Sequence, residues 1–476
     1  MIVAIVKSFV PFKNNAKNFG KVVDFCAMQR YSAIRQACVL LLCVGSAAQA
    51  ADGTGQVFQD LLERSPRVNA AREDEQAAQS RRDELFRRTW TPNLSLSTEV
   101  GKQRYETEAI PGQTRDADRT TLRATQLLYD FGRSNQQVRE AEAVTRQTAA
   151  VTGATTDGVL LEGLTAHWSA VRARVVVDYA RQSEASVLNL TKVETSLVEL
   201  GRGYESNVLQ AKVQLAGAEA RRVRAEGAQA IADARVGAVF GALAPRVGYE
   251  QVGQALESRL PASLEDARQA ALRNNKQLQV GALRSQALSH RLGAVQAREV
   301  MPRLELAAER SRRNTWDTPV ETSRINDTKL MLQLSWNVNL GMAGPAAQAA
   351  VDRDLRASVQ REAETRDLVL EQVDIAWRNL LVARQNHDTL ANQVRIASKF
   401  FEMATAERQL GRRSLLDVLS AEVALINGMS DLASSEVDGH IAALTLLQAT
   451  GQLDLDAVRF VDARSALSDL TGLARR

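Results

Sequence analysis

Arg413 and Asp417 stand four residues apart in a short stretch, Leu410 to Asp417, between two long helical patterns. On a protein surface that spacing allows a local ion pair, worth well under about 1 kcal/mol. In a narrow, poorly screened bore the same carboxylate would attract cations and repel anions. The other chemically able residues do not converge. His167, His290, His387 and His440 are widely scattered, and none has a second ligand at metal spacing. His387 falls on an apolar helix seam and reads as a polar register residue. Glu73 and Glu75 read as solvated charges on a polar helix face. No phosphate loop, nucleophile elbow or dinucleotide fingerprint occurs. Neither a catalytic nor a cofactor-binding nor a metal site is expected, and the chain is not read as an enzyme.

Asp130-Phe131-Gly132 matches the metal-binding triplet of protein kinases, but no Gly-rich loop or catalytic loop accompanies it. Here it ends a strand pattern and opens a helix. Cys26, Cys38 and Cys43 all lie in the first 50 residues. From Met28 that region reads as a secretory signal peptide. Arg30 and Arg35 give a positive segment, Ala37 to Val44 a short apolar core, and Ala48-Gln49-Ala50 a small-x-small cleavage site. Residues 1–27 then read as an extended leader or an upstream start. Cleavage after Ala50 leaves a chain without cysteine, which excludes disulfide frameworks and thiolate metal sites. Net charge is +4, but the first 50 residues hold six Lys/Arg and one acid. Of 60 basic and 56 acidic residues, 54 and 55 remain, so the pI is no argument for nucleic acid.

The elements that must hold these residues come in two copies. Leu200-Gly201-Arg202 recurs as Leu410-Gly411-Arg412, an offset of 210. Val208-Leu209, Ala211 and Val213 recur as Val418-Leu419, Ala421 and Val423, and Pro92, Arg174 and Gly241 as Pro302, Arg384 and Gly451. A unit of that length is far beyond the roughly 20–50 residues of solenoid repeats. It is a duplicated half-molecule. The boundaries read as 51–241 for the first repeat, 242–261 for a connector carrying Pro245 and Pro261, 262–451 for the second repeat and 452–476 for a tail. Each half reads as helix, two strands, very long helix, break and second helix.

In the first half a helix over Val57 to Arg88 ends at Trp90-Thr91-Pro92. Leu94, Leu96, Thr98 and Val100 then alternate with polar residues, the period of a half-buried strand. Gln103 to Asp118 reads as a polar loop with a turn at Pro111-Gly112, and Thr121 to Phe131 as the return strand. The second half repeats this with a strand from Leu304, a loop over Ser311 to Asp327, and alternation from Leu330 to Leu340. Strands of roughly 9–11 residues with this pattern suit a transmembrane barrel. Val369, Val373, Ala376, Leu380, Ala383, His387, Leu390, Val394, Ala397 and Phe401 step by four and three, a heptad seam. Val159, Gly163, Ala166, Ala170, Ala173, Val177 and Ala180 form a weaker twin. Residues 133–200 contain no proline and would span roughly 100 Å as helix. Gly201 and Gly411 are expected as helix-ending caps.

Two of these segments resemble motifs of TolC-like outer-membrane channels. Gln126 to Arg133 is similar to the strand end that opens the long helix, and Glu407 to Leu419 to the periplasmic tip; Leu197 to Leu209 is its degenerate partner. The resemblance covers about residues 53–455. It implies an α+β membrane protein: a homotrimer in which four strands per protomer form one transmembrane β-barrel in outer-membrane lipid. Long helices then form a coiled-coil barrel across the periplasm of a Gram-negative bacterium. It implies a tip constriction at Asn207, Arg413 and Asp417. The tip turns Leu200, Gly201, Arg202, Leu410, Gly411 and Arg412 would dock a periplasmic adaptor, itself bound to an inner-membrane ABC exporter or proton-driven pump. Asn207 is neutral where the family often has an acid. The polar segments around Asn314 to Asp317 and Asn326 to Thr328 point to type I protein secretion. Multidrug efflux and, in another class, a periplasmic coiled-coil scaffold or adaptor are the alternatives.

Overall fold

The computed structural model describes residues 53–107, 110–246, 256, 259–316, 322–337, 341 and 343–455. The expected leader, the middle of the connector, Asp317, Val338, Leu340 and most of the tail lie outside them. Chain order is α1 (Gly53–Arg64), α2 (Pro66–Trp90), β1 (Asn93–Thr107), β2 (Ile110–Tyr129), α3 (Arg133–Glu199), α4 (Glu205–Phe240), a 3-10 turn (Gly241–Arg246), α5 (Leu264–Asn274), α6 (Lys276–Val300), β3 (Arg303–Trp316), β4 (Thr322–Ser335), α7 (Ala343–Gln409) and α8 (Leu415–Ala449). The duplication is visible element by element. α2 and α6, β1 and β3, and α3 and α7 each start 210 residues apart.

α3 and α7 each run 67 residues without a break. Neither has a thick apolar face of its own, so each is held by neighbours: α3 packs on α2, α4, α6 and α8, and α7 on α5, α6 and α8. The seam of α7 is as its heptads require. Val369, Val373, Ala376 and Leu380 are buried, and the later members are half-buried. The main core lies where the short helices α1 and α5 cover the long ones. Phe58 and Leu61 pack there with Leu164, Trp168, Phe240, Leu444, Leu446 and Leu447. Ion pairs rim it: Arg268 makes a two-pronged contact with Asp374 at 2.8 and 2.6 Å, and Lys276 reaches Asp157 at 2.7 Å.

Three boundaries differ from the sequence reading. The first helix is two helices, because Pro66 sits in the first turn of α2, where its missing N–H costs nothing. Ser65 stands before it in extended backbone, as Asn275 stands before α6 and caps it by accepting from Gln277 and Leu278. The expected loop over 103–118 is strand. β1 runs on to Thr107 and β2 begins at Ile110, so Pro111 and Gly112 lie inside β2 rather than at its turn. Pro111 falls in the irregularity of the β1–β2 ladder, between the Thr107–Ile110 and Tyr105–Gln113 pairs, where a missing N–H is tolerated. The loop expected over 311–327 is likewise strand up to Trp316 and again from Thr322. Polar strand residues extend past the apolar band because the ladder, not burial, satisfies their backbone.

The four strands form one antiparallel sheet in the order β1-β2-β3-β4, with the two halves joined at β2–β3. β1 and β4 are its edges. Among the described residues no helix is long and apolar enough to cross a membrane.

Candidate functional site at the helical turns and the sheet

The two turns between long and following helices share one backbone design. Gly201 has φ +72° and Gly411 φ +70°, a left-handed conformation that glycine adopts without strain. In the first turn the N–H of Arg202 donates to the Leu197 carbonyl and that of Gly201 to Val198, both at 2.9 Å. In the second, Arg412 donates to Glu407 and Gly411 to Arg408, again at 2.9 Å. These paired bonds satisfy carbonyls that the helix end would orphan. Leu200 and Leu410, just before the glycines, are about 70% exposed.

The side chains then diverge. Ser414 accepts from the Asp417 N–H at 3.2 Å and caps α8, whereas its twin Tyr204 gives α4 no side-chain cap. Asp417 is exposed at the third position of α8, and Asn207 holds the same place in α4. Arg413 does not pair with Asp417. Its Nε meets Glu407 at 3.0 Å, and its guanidinium lies over the Phe400 ring, 5.1 Å from the centroid.

Two features at this end were missed in the sequence. Arg408 of α7 forms an ion pair with Glu194 of α3, whose side chain is 2% exposed, and also donates to the Arg413 carbonyl at 3.4 Å. The pair brings both turns to one end of the bundle. At the twin positions stand Val198 and Ala404, so the missed signal was a complementary charge present in only one of each matched pair. Glu422 of α8 is buried, with Oε2 lacking a hydrogen-bond partner. Burial pushes its carboxyl above the usual range, and a hydrogen bond from Ser186 of α3 pulls it partly back. Among the described residues no group of side chains could hold a metal ion.

At the other end the sheet has two unlike faces. Register places Leu94 beside Ala124, Leu96 beside Leu122, Leu306 beside Leu332 and Leu304 beside Leu334. Cross-strand partners share a face, so these residues make one apolar surface. Val100 is 81% and Leu330 74% exposed. Arg123, Glu309 and Lys329 are matched on the opposite face, where Arg123 lies 3.9 Å from Glu309 and donates to Gln333 at 3.2 Å. Tyr129, in register with Leu304, packs edge-on against Phe131 at 4.7 Å, and Trp336 donates its Nε1–H to the Val300 carbonyl at 3.2 Å. Exposed aromatics where an apolar band ends suit a membrane–water interface.

A family model described as outer membrane efflux protein matches residues 57–242 and 267–452. The outer membrane efflux protein BepC of Brucella suis biovar 1 (strain 1330) is 21% identical over 337 residues, 70% of this chain and 72% of that protein. Among solved structures, the outer-membrane channel OprN aligns with a TM-score of 0.72 at 16% identity, over 84% of this chain and 90% of its own. The outer membrane protein VceC of Vibrio cholerae aligns at 0.69 and 16%, over 84% and 96%. The open state of the MtrE outer membrane channel of Neisseria gonorrhoeae aligns at 0.68 and 14%, over 85% and 90%.

Proposed function

Since the chain belongs to the outer membrane efflux protein family, we propose that it works as a homotrimeric channel-tunnel of a tripartite exporter. One observation carries this reading: a four-stranded sheet with an apolar face and two free edges is continued by 67-residue helices. Unpaired edges cannot stand in lipid, and four strands are too few to close a barrel. Three copies supply twelve, an even number within the range of outer-membrane barrels. Closing β4 of one protomer on β1 of the next turns the leucine face to lipid and the charged face to the bore. The helices then run into the periplasm, and the turns lie at the far end.

There, Leu200, Gly201, Arg202, Leu410, Gly411 and Arg412 form the surface offered to an adaptor, with energy supplied by an inner-membrane pump. Three copies of Asp417 line the constriction, and Asn207 leaves the alternate positions neutral. Arg413 braces the closed turn through Glu407 and Phe400. The repeats keep the boundaries 51–241 and 262–451, preceded by a leader cleaved after Ala50. The polar segments that pointed to protein secretion lie largely within β3 and β4. Type I protein secretion is kept as the first reading, and the relative named an outer membrane efflux protein supports the efflux alternative.

Light scattering in detergent is expected to find a trimer; a monodisperse folded monomer would end the channel reading. In planar bilayers, Arg413→Ala is expected to raise single-channel conductance and Asp417→Ala to lower cation selectivity with the trimer intact. Parental behaviour of both variants would move the gate elsewhere. In a strain lacking the gene, restored drug resistance without restored protein secretion marks efflux, and the reverse marks type I secretion.

A further inference from the structure

A cavity of about 340 Å3 opens where the sheet gives way to the helices, lined by Arg88 of α2, Asp130, Arg133 and Ser134 at the start of α3, and Leu127 and Arg303 of β2 and β3. Leu127 is in register with Glu305, two residues from Arg303, so the cavity lies on the polar face of the sheet. The carboxylates nearby are already engaged. Asp130 accepts from the Ser134 N–H at 2.9 Å and from its hydroxyl. Glu305 pairs with Arg303, and Glu299 with Arg298 at 2.6 Å. Among the described residues no carboxylate lies within ion-pair distance of Arg88 or Arg133. Burial, then the neighbouring charges of Arg303 and Arg298, hold the Arg133 guanidinium below its usual range. A guanidinium does not give up its proton in proteins, so the crowded positive charge stays, offset in part by the nearby charges of Asp130 and Glu299. The first turn of a 67-residue helix adds its partial positive charge at the same place.

We propose that this cavity is an anion site that holds a phosphate-bearing solute through Arg88 and Arg133, beside the Arg303–Glu305 pair. Guanidinium forks match phosphate oxygens in pairs. Tyr129, Leu304 and Leu334 lie on the opposite, apolar face, so the ligand comes from water on the polar side rather than from a lipid headgroup. That side is the bore only if the trimeric channel reading holds, and in the trimer the site repeats three times as a positive collar. An anionic solute is then held midway along the conduit, between the barrel and the tunnel.

The test titrates inorganic pyrophosphate into the full-length, detergent-solubilised protein by calorimetry, with light scattering on the same samples. Saturable binding is expected. Arg133→Gln and Arg88→Gln should each weaken it about tenfold, the loss of one charge-assisted contact, while Arg366→Gln on exposed α7 leaves it unchanged. Arg88 lies exposed on α2, so its variant guards against a folding defect at Arg133. Equal binding by all variants, no binding by the parent, or displacement of pyrophosphate by phosphatidylglycerol in mixed micelles each overturns the proposal. The cavity is complete within one chain, so a monomeric result would count against the channel and leave the titration decisive for the site.

Discussion

The two halves match in backbone and differ in chemistry, most of all at their turns. Both turns use a left-handed glycine, two 2.9 Å cap bonds and an exposed leucine. Only the second has a serine cap, an acidic third position and an arginine seated on an aromatic ring. Only across the two is there a charge tie, Arg408 to Glu194, where the twins are Val198 and Ala404. Helix length and turn geometry are thus set by features a duplication copies whole. The electrostatics of the tip rest on single side chains, which each copy can change alone.

The largest way to break the comparison is to remove one partner of that tie. Arg408→Ala leaves Glu194 buried and unpaired and is expected to cost about 3 kcal/mol, read as a lower thermal midpoint by circular dichroism in detergent. Replacing the pair by its twins, Glu194→Ala with Arg408→Val, should restore most of the loss, because an apolar pair needs no desolvation. A double variant as weak as the single one would mean that the tie specifies more than local packing.

Where the halves agree, substitutions should agree. Gly201→Ala and Gly411→Ala meet no atom within 4 Å, so only the positive φ is penalised. Each is expected to cost about 1–2 kcal/mol, with equal shifts in unfolding temperature; a clear difference would show that one turn is strained by its surroundings. A smaller contrast lies in the caps. Ser414→Ala should lose about 1 kcal/mol. Tyr204 already has the extended backbone of a cap, and its carbonyl already accepts from the Asn207 N–H at 3.0 Å, so Tyr204→Ser should gain less than Ser414→Ala loses.

The smallest effect is in pH. Glu422 is buried where its twin Lys212 is exposed. Its folded carboxyl titrates above the ordinary 4.5. Between the two values the folded chain holds the proton and the unfolded chain does not. Its stabilising contribution is therefore complete below 4.5 and is lost as pH rises through the raised value. Glu422→Gln should flatten that fall in a pH series of melting temperatures; an unchanged slope would assign it to another group.

Much of this was legible in the sequence because it is periodic. The heptad seams, the absence of proline over 133–200 and Gly201 and Gly411 located both long helices and their ends. The strands were read too short because alternation of apolar residues reports only the part facing lipid. Thr114 to Asp118 and Asn326 to Lys329 are strand by hydrogen bonding, which leaves no hydropathy signal. The break at Ser65-Pro66 was hidden because proline in a first helical turn leaves the apolar pattern on either side intact. Arg408 and Glu194 lie 214 residues apart, and no local pattern relates them.

The 210-residue offset has a consequence for how such a conduit can change over generations. In the proposed trimer the wall has six staves, odd ones from first halves and even ones from second halves. Any substitution appears on every other stave. A true hexamer of half-length chains could acquire a trait only on all six at once. This chain can place acid, cap or brace on three staves and leave the other three free to keep the wall closed and to drift towards a different partner.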